Sequence, residues 1–415
     1  MSFLTAALLS VTLQQWDSGD PTPDEQHALE IINRARANPV AEGNRLSAAN
    51  EAADVSLTNH LEVGFPPGSG QAGDVTEGLV APNNVVAARP PLAMNKILLG
   101  TARAHNTDMY GHDIFQHNSS GGTTPGDRML NAGYNWFVGG GMSGENIAFA
   151  GSSGGGLIAT AAQLENILMI DHDQMPDRGH RVNLLDTHLA PFFREIGVGY
   201  LHHDTPTGGS KHMTDLMTQD FGRIPANGPF VVGVVYNDKN GNGFYDIGEG
   251  MKGITVRVTS APGVFAVTGL AGGFAFPANT SSGAITVEFT GAQLGASPVS
   301  KVVVPGFAGE NVKVDCKLSD AGLADSDSDG LPDAYETATF GNLSRNGSGD
   351  FDGDTYNDLA EFNAGTDPKD ALSVPTGGGG SPGGSSDTGG GGGGCGLTGL
   401  EGLLALALLR RLRRR

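Results

Sequence analysis

The chain has 415 residues, 65 of them glycine, and a formal net charge of −20. That length accommodates two to four domains, and the lack of any basic stripe upstream of the C-terminal tail argues against a nucleic-acid partner. Half of the imbalance is local. Residues 325–370 hold twelve acids and two bases, a net of −10 in 46 residues, which points to a cation site rather than to general solubility.

Met1–Leu13 is an apolar run with no Lys or Arg before it, half of a secretory signal, so residues 1–23 read as a truncated signal segment. A helix follows. Thr22, Pro23 and Glu25 supply a cap, a proline at the first position and the glutamate of a capping box. Ala28, Ile31, Ile32 and Ala35 line one face until Asn38-Pro39 stops it. A second helix is predicted from Pro91, with Met94, Leu98, Ala102, His105 and Met109 at helical spacing.

Four stretches stand in order here: L-E-I-I-N-R-A-R-A-N-P from Leu29; H-N-T-D-M-Y-G-H-D-I-F-Q-H from His105; G-E-N-I-A from Gly144; and G-H-R-V-N-L-L from Gly179 with E-I-G-V-G-Y and M-T-Q-D-F-G behind it. Together they resemble the CAP superfamily (cysteine-rich secretory protein, antigen 5, pathogenesis-related; SCP-like) over residues 24–226. The resemblance implies an α-β-α sandwich with a cleft where two histidines and two acids converge. By motif these are His117, Glu145 and His180, with Asp171 as the fourth and Glu165 as its alternative. Two imidazoles and two carboxylates are a donor set for Zn2+ or another divalent ion; a hydrogen-bonded polar cluster is the other reading. The gaps of 28 and 35 residues carry no ligand periodicity by themselves. The chain lacks the disulfides of eukaryotic members and carries an insertion at 172–178 relative to short bacterial ones. His112, His172, His202, His203 and His212 read as exposed loop residues.

From Val231 onward, runs such as Ile254/Val256/Val258, Ile285/Val287/Phe289 and Val312/Val314 alternate at period two between Gly, Pro and Ser turns. Residues 227–319 therefore read as a small antiparallel β-sandwich, similar to the prealbumin-like repeats of bacterial surface proteins and acting as a spacer. Cys316 continues the Val312, Val314 series and reads as a small buried hydrophobe.

Three segments share one twelve-residue spacing of oxygen ligands. They are Asp238, Asn240, Asn242, Phe244, Asp246 and Glu249; Asp325, Asp327, Asp329, Leu331, Asp333 and Glu336; and Asp350, Asp352, Asp354, Tyr356, Asp358 and Glu361. Each places side-chain oxygens at positions 1, 3, 5 and 9, a backbone carbonyl at 7 and Glu at 12, the EF-hand arrangement for Ca2+. Position 6 favours glycine, and the third loop has Thr355 there. Loops two and three start 25 residues apart; residues 320–372 resemble thrombospondin type 3-like calcium repeats and, more distantly, dockerins.

Residues 373–395 form a Gly-rich linker. Residues 396–415 add an apolar run from Leu397 to Leu409, interrupted by Glu401, and five arginines; thirteen residues rise only about 20 Å as a helix, short of a ~30 Å hydrocarbon core. Glycine tract, Cys395, apolar helix and arginines resemble bacterial C-terminal sorting signals, with Cys395 at the processing and anchoring point; a marginal membrane anchor is the alternative. The sequence thus implies an α+β protein, exported to the cell surface or secreted, that displays a CAP-type domain for an apolar or lipid ligand, or an envelope partner, on a calcium-stiffened stalk. No catalytic residue is assigned. A metal-dependent hydrolase using the His/Glu cleft and a dockerin-like scaffold-attached protein are the alternatives.

Overall fold

The computed structural model describes residues 13–52, 86–151, 159–171, 179–187, 192–280 and 283–375. The first twelve residues of the signal segment, the insertion at 172–178, Cys395 and the sorting signal lie outside them. The described chain divides into two compact units, residues 19–227 and residues 228–375 joined by residues 13–18. The first strand, β1 (Gln14–Gln15), belongs to the second unit.

In the first unit, α1 (Pro23–Ala37) opens on the expected capping box: Thr22 Oγ1 accepts from the Glu25 N–H, and Glu25 Oε2 accepts from the Thr22 N–H at 2.8 Å. Then come α2 (Pro39–Ala52), β2 (Ala93–Met94) and α3 (Lys96–His112). The helix predicted from Pro91 begins five residues later, because Ala93 and Met94 pair with a neighbouring strand. Asn95 is its N-cap, accepting from the N–H groups of Ile97 and Leu98. The remaining elements are α4 (Pro125–Asn131), β3 (Met142–Gly151), α5 (Ala161–Ile170), α6 (Gly179–Leu185), β4 (Glu195–His202) and β5 (Met213–Arg223).

The sheet runs in the order β2-β4-β5-β3, with β2/β4 parallel and the other pairs antiparallel. Strand pleating sends alternate side chains to opposite faces. Ala148, Ile196, Val198, Met217 and Phe221 meet Ala28, Ile32, Leu164, Leu168 and Leu184 of α1, α5 and α6. On the other face Ile147 and Leu216 meet Met109 of α3. This three-layer α/β/α arrangement fits the α+β class read from the sequence. The glycines of E-I-G-V-G-Y let α3 lie directly on β4: a Cβ at Gly197 would stand 2.0 Å from the carbonyl carbon of Leu98.

In the second unit, β6 (Phe230–Tyr236) is buried throughout. It is followed by β7 (Thr255–Val258), β8 (Val264–Val267), β9 (Gly273–Pro277), β10 (Ile285–Thr290), β11 (Val299–Val303), β12 (Val312–Lys313) and β13 (Cys316–Lys317). Two short helices, α7 (Asp333–Phe340) and α8 (Asp358–Ala364), end it. One sheet is β1-β8-β7-β10-β11; the other sets β12, β13 and β9 against β6. The pairings of β1 with β8 and of β12 and β13 with β6 are parallel, a departure from the wholly antiparallel sandwich expected.

Two further differences matter. Residues 14–16 of the expected signal segment are part of this fold, with β1 in the sheet and the Trp16 ring 5.9 Å from that of Phe230. The acidic module also shares its core with the sandwich: Leu331, Leu359 and Phe362 pack in the cluster that holds Val256, Val287, Phe289 and Cys316. Cys316 is a buried free thiol, pushed up to about 12 by burial.

Replacing Gly197 by Ala should destabilise the first unit by about 2–3 kcal/mol through overpacking against α3. Gly100→Ala, where an added Cβ meets open space within α3, should stabilise by up to ~1 kcal/mol. Denaturant unfolding of both variants checks the pair.

Candidate functional site

The three acidic loops fold alike. Position 1 accepts the N–H of position 6: Gly243 to Asp238, Gly330 to Asp325, Thr355 to Asp350. Position 5 accepts the N–H of position 7: Phe244 to Asn242, Leu331 to Asp329, Tyr356 to Asp354, at 2.7–2.8 Å. Positions 4 and 6 are left-handed in every loop, as Gly241 and Gly243, Ser328 and Gly330, Gly353 and Thr355. The shared spacing is therefore a shared backbone.

In loops two and three the acids converge. The ligand oxygens of Asp325, Asp327 and Asp329 lie within 4.8 Å of one another, as do those of Asp350, Asp352 and Asp354. Glu336 on α7 and Glu361 on α8 are both fully buried, and none of their four carboxylate oxygens has a hydrogen-bond partner among the described residues. Asp325 Oδ1, Asp352 Oδ2 and Asp354 Oδ2 share that state. Burial first, then the charges of Asp329, Asp327, Asp325 and Asp333, push Glu336 up to about 7. Burial and the charges of Asp352, Asp354, Asp358 and Asp350 do the same to Glu361. Buried acceptors are normally satisfied, so this donor set fits a hard cation.

Position 9 stands apart from the triplets. Asp333 accepts from the Ser326 N–H and hydroxyl at 2.7 and 2.6 Å, and Asp358 from the Phe351 N–H at 3.0 Å and from Arg345 Nε at 2.7 Å. Standing at the starts of α7 and α8, these carboxylates tie position 9 back to position 2 instead of joining the triplets. Loop one differs again. Its Glu249 takes the N–H groups of Lys239 and Asp246, and Asp246 takes the amides of Asn240 and Asn242 at 2.6 Å.

In the first unit, the four residues of the motif reading form two separate pairs. His117 Nδ1 lies 2.8 Å from Glu145 Oε1, and His180 Nδ1 lies 2.8 Å from Asp171 Oδ1. No three of their ligand atoms gather within 4.8 Å; among the described residues only the two aspartate triplets do so. Glu145 and Asn146 are neighbours on β3 and point to opposite faces. Glu145 meets His117 and the Arg128 guanidinium of α4, whereas Asn146 reaches Gln219 and the carbonyl of His180. Asp171 is occupied in capping α6, accepting from the N–H groups of His180 and Arg181. Glu165 is engaged inside the core with the Gln219 amide, and burial pushes it up to about 8.

Motif reading missed the backing of Glu145. Asp220 faces it across the β3/β5 pair and accepts from Thr101 Oγ1 at 2.6 Å. Burial, and then the Glu145 charge, hold Asp220 well above the usual carboxylate range. His105 is also buried, its Nε2 on the Gln116 carbonyl, and desolvation lowers its affinity for a second proton. The signal was the density of polar residues (Thr214, Asp215, Thr218, Gln219, Asp220) in a strand buried over ten of its eleven positions. His202 is not a loop residue but ends β4, with Nδ1 2.6 Å from buried Asp215. His112 lies within α3 and His203 stacks on Tyr110.

No family model matches the chain, and no curated protein matches it. Among solved structures, it is similar to an extracellular protein containing an SCP domain from Bacillus anthracis str. Ames, at 24% identity and a TM-score of 0.23. The match covers 32% of this chain and 34% of that one. A likeness of that extent assigns no family. No described helix is long and apolar enough to cross a membrane.

Two outcomes follow from the loop geometry. Thr355 is a β-branched residue at φ +86°, so Thr355→Gly should stabilise the second unit by about 1 kcal/mol in thermal unfolding. A carboxyl whose folded pKa is raised binds more protons in the native than in the unfolded state, so it favours folding at low pH and loses that advantage as pH rises. In chelator, the Glu336 and Glu361 contribution should therefore decline from about pH 4.5 to about pH 7. The difference in melting temperature between wild type and the Glu336→Gln/Glu361→Gln double variant should grow over that window, the variant being the more stable at pH 7.5.

Proposed function

We propose that this chain is an exported calcium-binding protein whose second unit takes Ca2+ in the loops at Asp325–Glu336 and Asp350–Glu361. The observation that carries this reading is the set of four buried glutamate oxygens with no donor, each pair beside three converging aspartates. A bare carboxylate buried among like charges is strongly disfavoured, and a divalent ion supplies the missing counter-charge. Seven or so oxygens at a twelve-residue spacing suit Ca2+ better than Mg2+, which demands a tighter octahedron. With affinities on the order of 10⁻⁴ to 10⁻³ M, as in extracellular modules, the sites would fill only where calcium is abundant, as it is outside the cytoplasm.

The first unit is read as a CAP-type domain presenting a polar cleft to a lipid, another apolar ligand or an envelope partner. The motif order and the three-layer arrangement support this. For the cleft, hydrogen-bonded His–carboxylate pairs have better support than a resident Zn2+. Glu145 already carries the Arg128 guanidinium and Asp171 is spent on helix capping; a second cation at Glu145 would meet a fixed positive charge. The same contact weighs against a metal-dependent hydrolase. The sorting signal at Cys395 remains part of the proposal through its sequence alone.

Equilibrium dialysis of the full chain at millimolar calcium tests the central claim. Glu336→Gln and Glu361→Gln should each remove one bound ion. Uptake that neither substitution alters would refute it.

A further inference from the structure

The first loop has the spacing of the other two and less of their unmet demand for charge, although burial and the charges of Asp246 and Asp238 still push Glu249 up. It carries three acids, Asp238, Asp246 and Glu249, where each of the others carries five. Its oxygens are served from within. Glu249 Oε1 and Oε2 accept from the Lys239 and Asp246 N–H groups at 3.2 and 3.0 Å. Asp246 Oδ2 accepts both asparagine amides, while Asn240 Oδ1 and Asn242 Oδ1 accept from the N–H groups of Asn242 and Phe244. Glu336 and Glu361 have no such bonds.

A cation is also already present. Lys317 Nζ lies 3.2 Å from Asp238 Oδ2, with the Asp238 side chain 9% exposed. The register explains its placement. β13 runs parallel to β6 with Lys317 paired to Tyr236, and Asp238 lies two residues beyond Tyr236, which returns it to the same face. An ammonium so held supplies part of the charge that Ca2+ supplies elsewhere, and it would repel a divalent ion entering beside it.

We propose that Lys317 is the resident cation of the first loop, holding it closed without metal and confining calcium to the second and third loops. This rests on the calcium reading of those two loops. The lysine-held loop would keep the β6 end of the second unit ordered whatever the calcium level, leaving the α7 and α8 loops as the responsive part.

Dialysis of the full chain separates the two claims. Wild type should bind two ions per chain, and Glu249→Gln should leave that number unchanged. Lys317→Met should bind three, falling back to two when combined with Glu249→Gln; Lys317→Gln serves the same purpose should the methionine variant fold poorly. A wild-type stoichiometry of three that Glu249→Gln lowers to two overturns this inference and leaves the calcium reading intact, and a lysine variant that stays at two overturns it as well. A stoichiometry of zero removes the calcium reading instead. Lys317 is then judged by thermal unfolding in chelator: a lower melting temperature for Lys317→Met than for wild type supports the resident cation, and an unchanged one rejects it.

Discussion

Like-charge repulsion beside an apolar core governs the second unit. Carboxylates gathered within 4.8 Å of one another repel, less so where water screens them. Each aspartate triplet contains three such pairs, and a buried glutamate stands next to it. The internal N–H bonds of the loops, at about 1 kcal/mol apiece, offset part of that repulsion. The loops differ in whether the protein itself brings a positive charge to them. Arg345 serves Asp358 and Lys317 serves Asp238, but no described basic side chain reaches the oxygens of Glu336 or Glu361.

The first unit meets the same constraint by another route. Its buried acids are paired: Glu145 with Arg128 and His117, Asp171 with two backbone N–H groups and His180, Asp215 with His202 and Tyr200. Asp220, beside Glu145, is instead held well above the usual carboxylate range by burial and by the Glu145 charge. Buried charge here is neutralised locally by Arg128 of α4, His117 in the loop after α3, His180 of α6 and His202 at the end of β4. His117 is left about half exposed.

How much of this was legible follows from sequence distance. Loop ligands lie within twelve residues of one another, so spacing alone located all three loops, and Gly241, Gly243, Gly330 and Gly353 marked most of the left-handed positions. Ser328 and Thr355 adopt the same conformation without announcing it. The capping box at Thr22 is equally local. The start of α3 was misplaced because Pro91 fits the first position of a helix, yet the deciding facts were strand pairing of Ala93 and Met94 and a cap at Asn95. The histidine pairs depend on which way each residue of β3 points, and the Asp238–Lys317 contact joins residues 79 apart through a parallel pairing. Nothing short-range encodes either one.

The shared core changes what calcium can do. A stalk appended to a spacer would gain stiffness from the ion and pass little on. Here Leu331, Leu359 and Phe362, which flank the ligands, lie in the same cluster as Val256 and Phe289 of the sheet, so a force that orders the loops also holds the sandwich. An ion that binds only the native state adds RT ln(1 + [L]/Kd), about 1.4 kcal/mol per site at tenfold saturation. Two sites then give ~3 kcal/mol, a sizeable part of the 5–15 kcal/mol on the order of which domains are stable. The same unit in a calcium-poor compartment would lose that share and bear the repulsion as well. On the calcium reading proposed above, folding of the second unit, rather than flexibility of a linker, is the property that the surrounding calcium concentration would control.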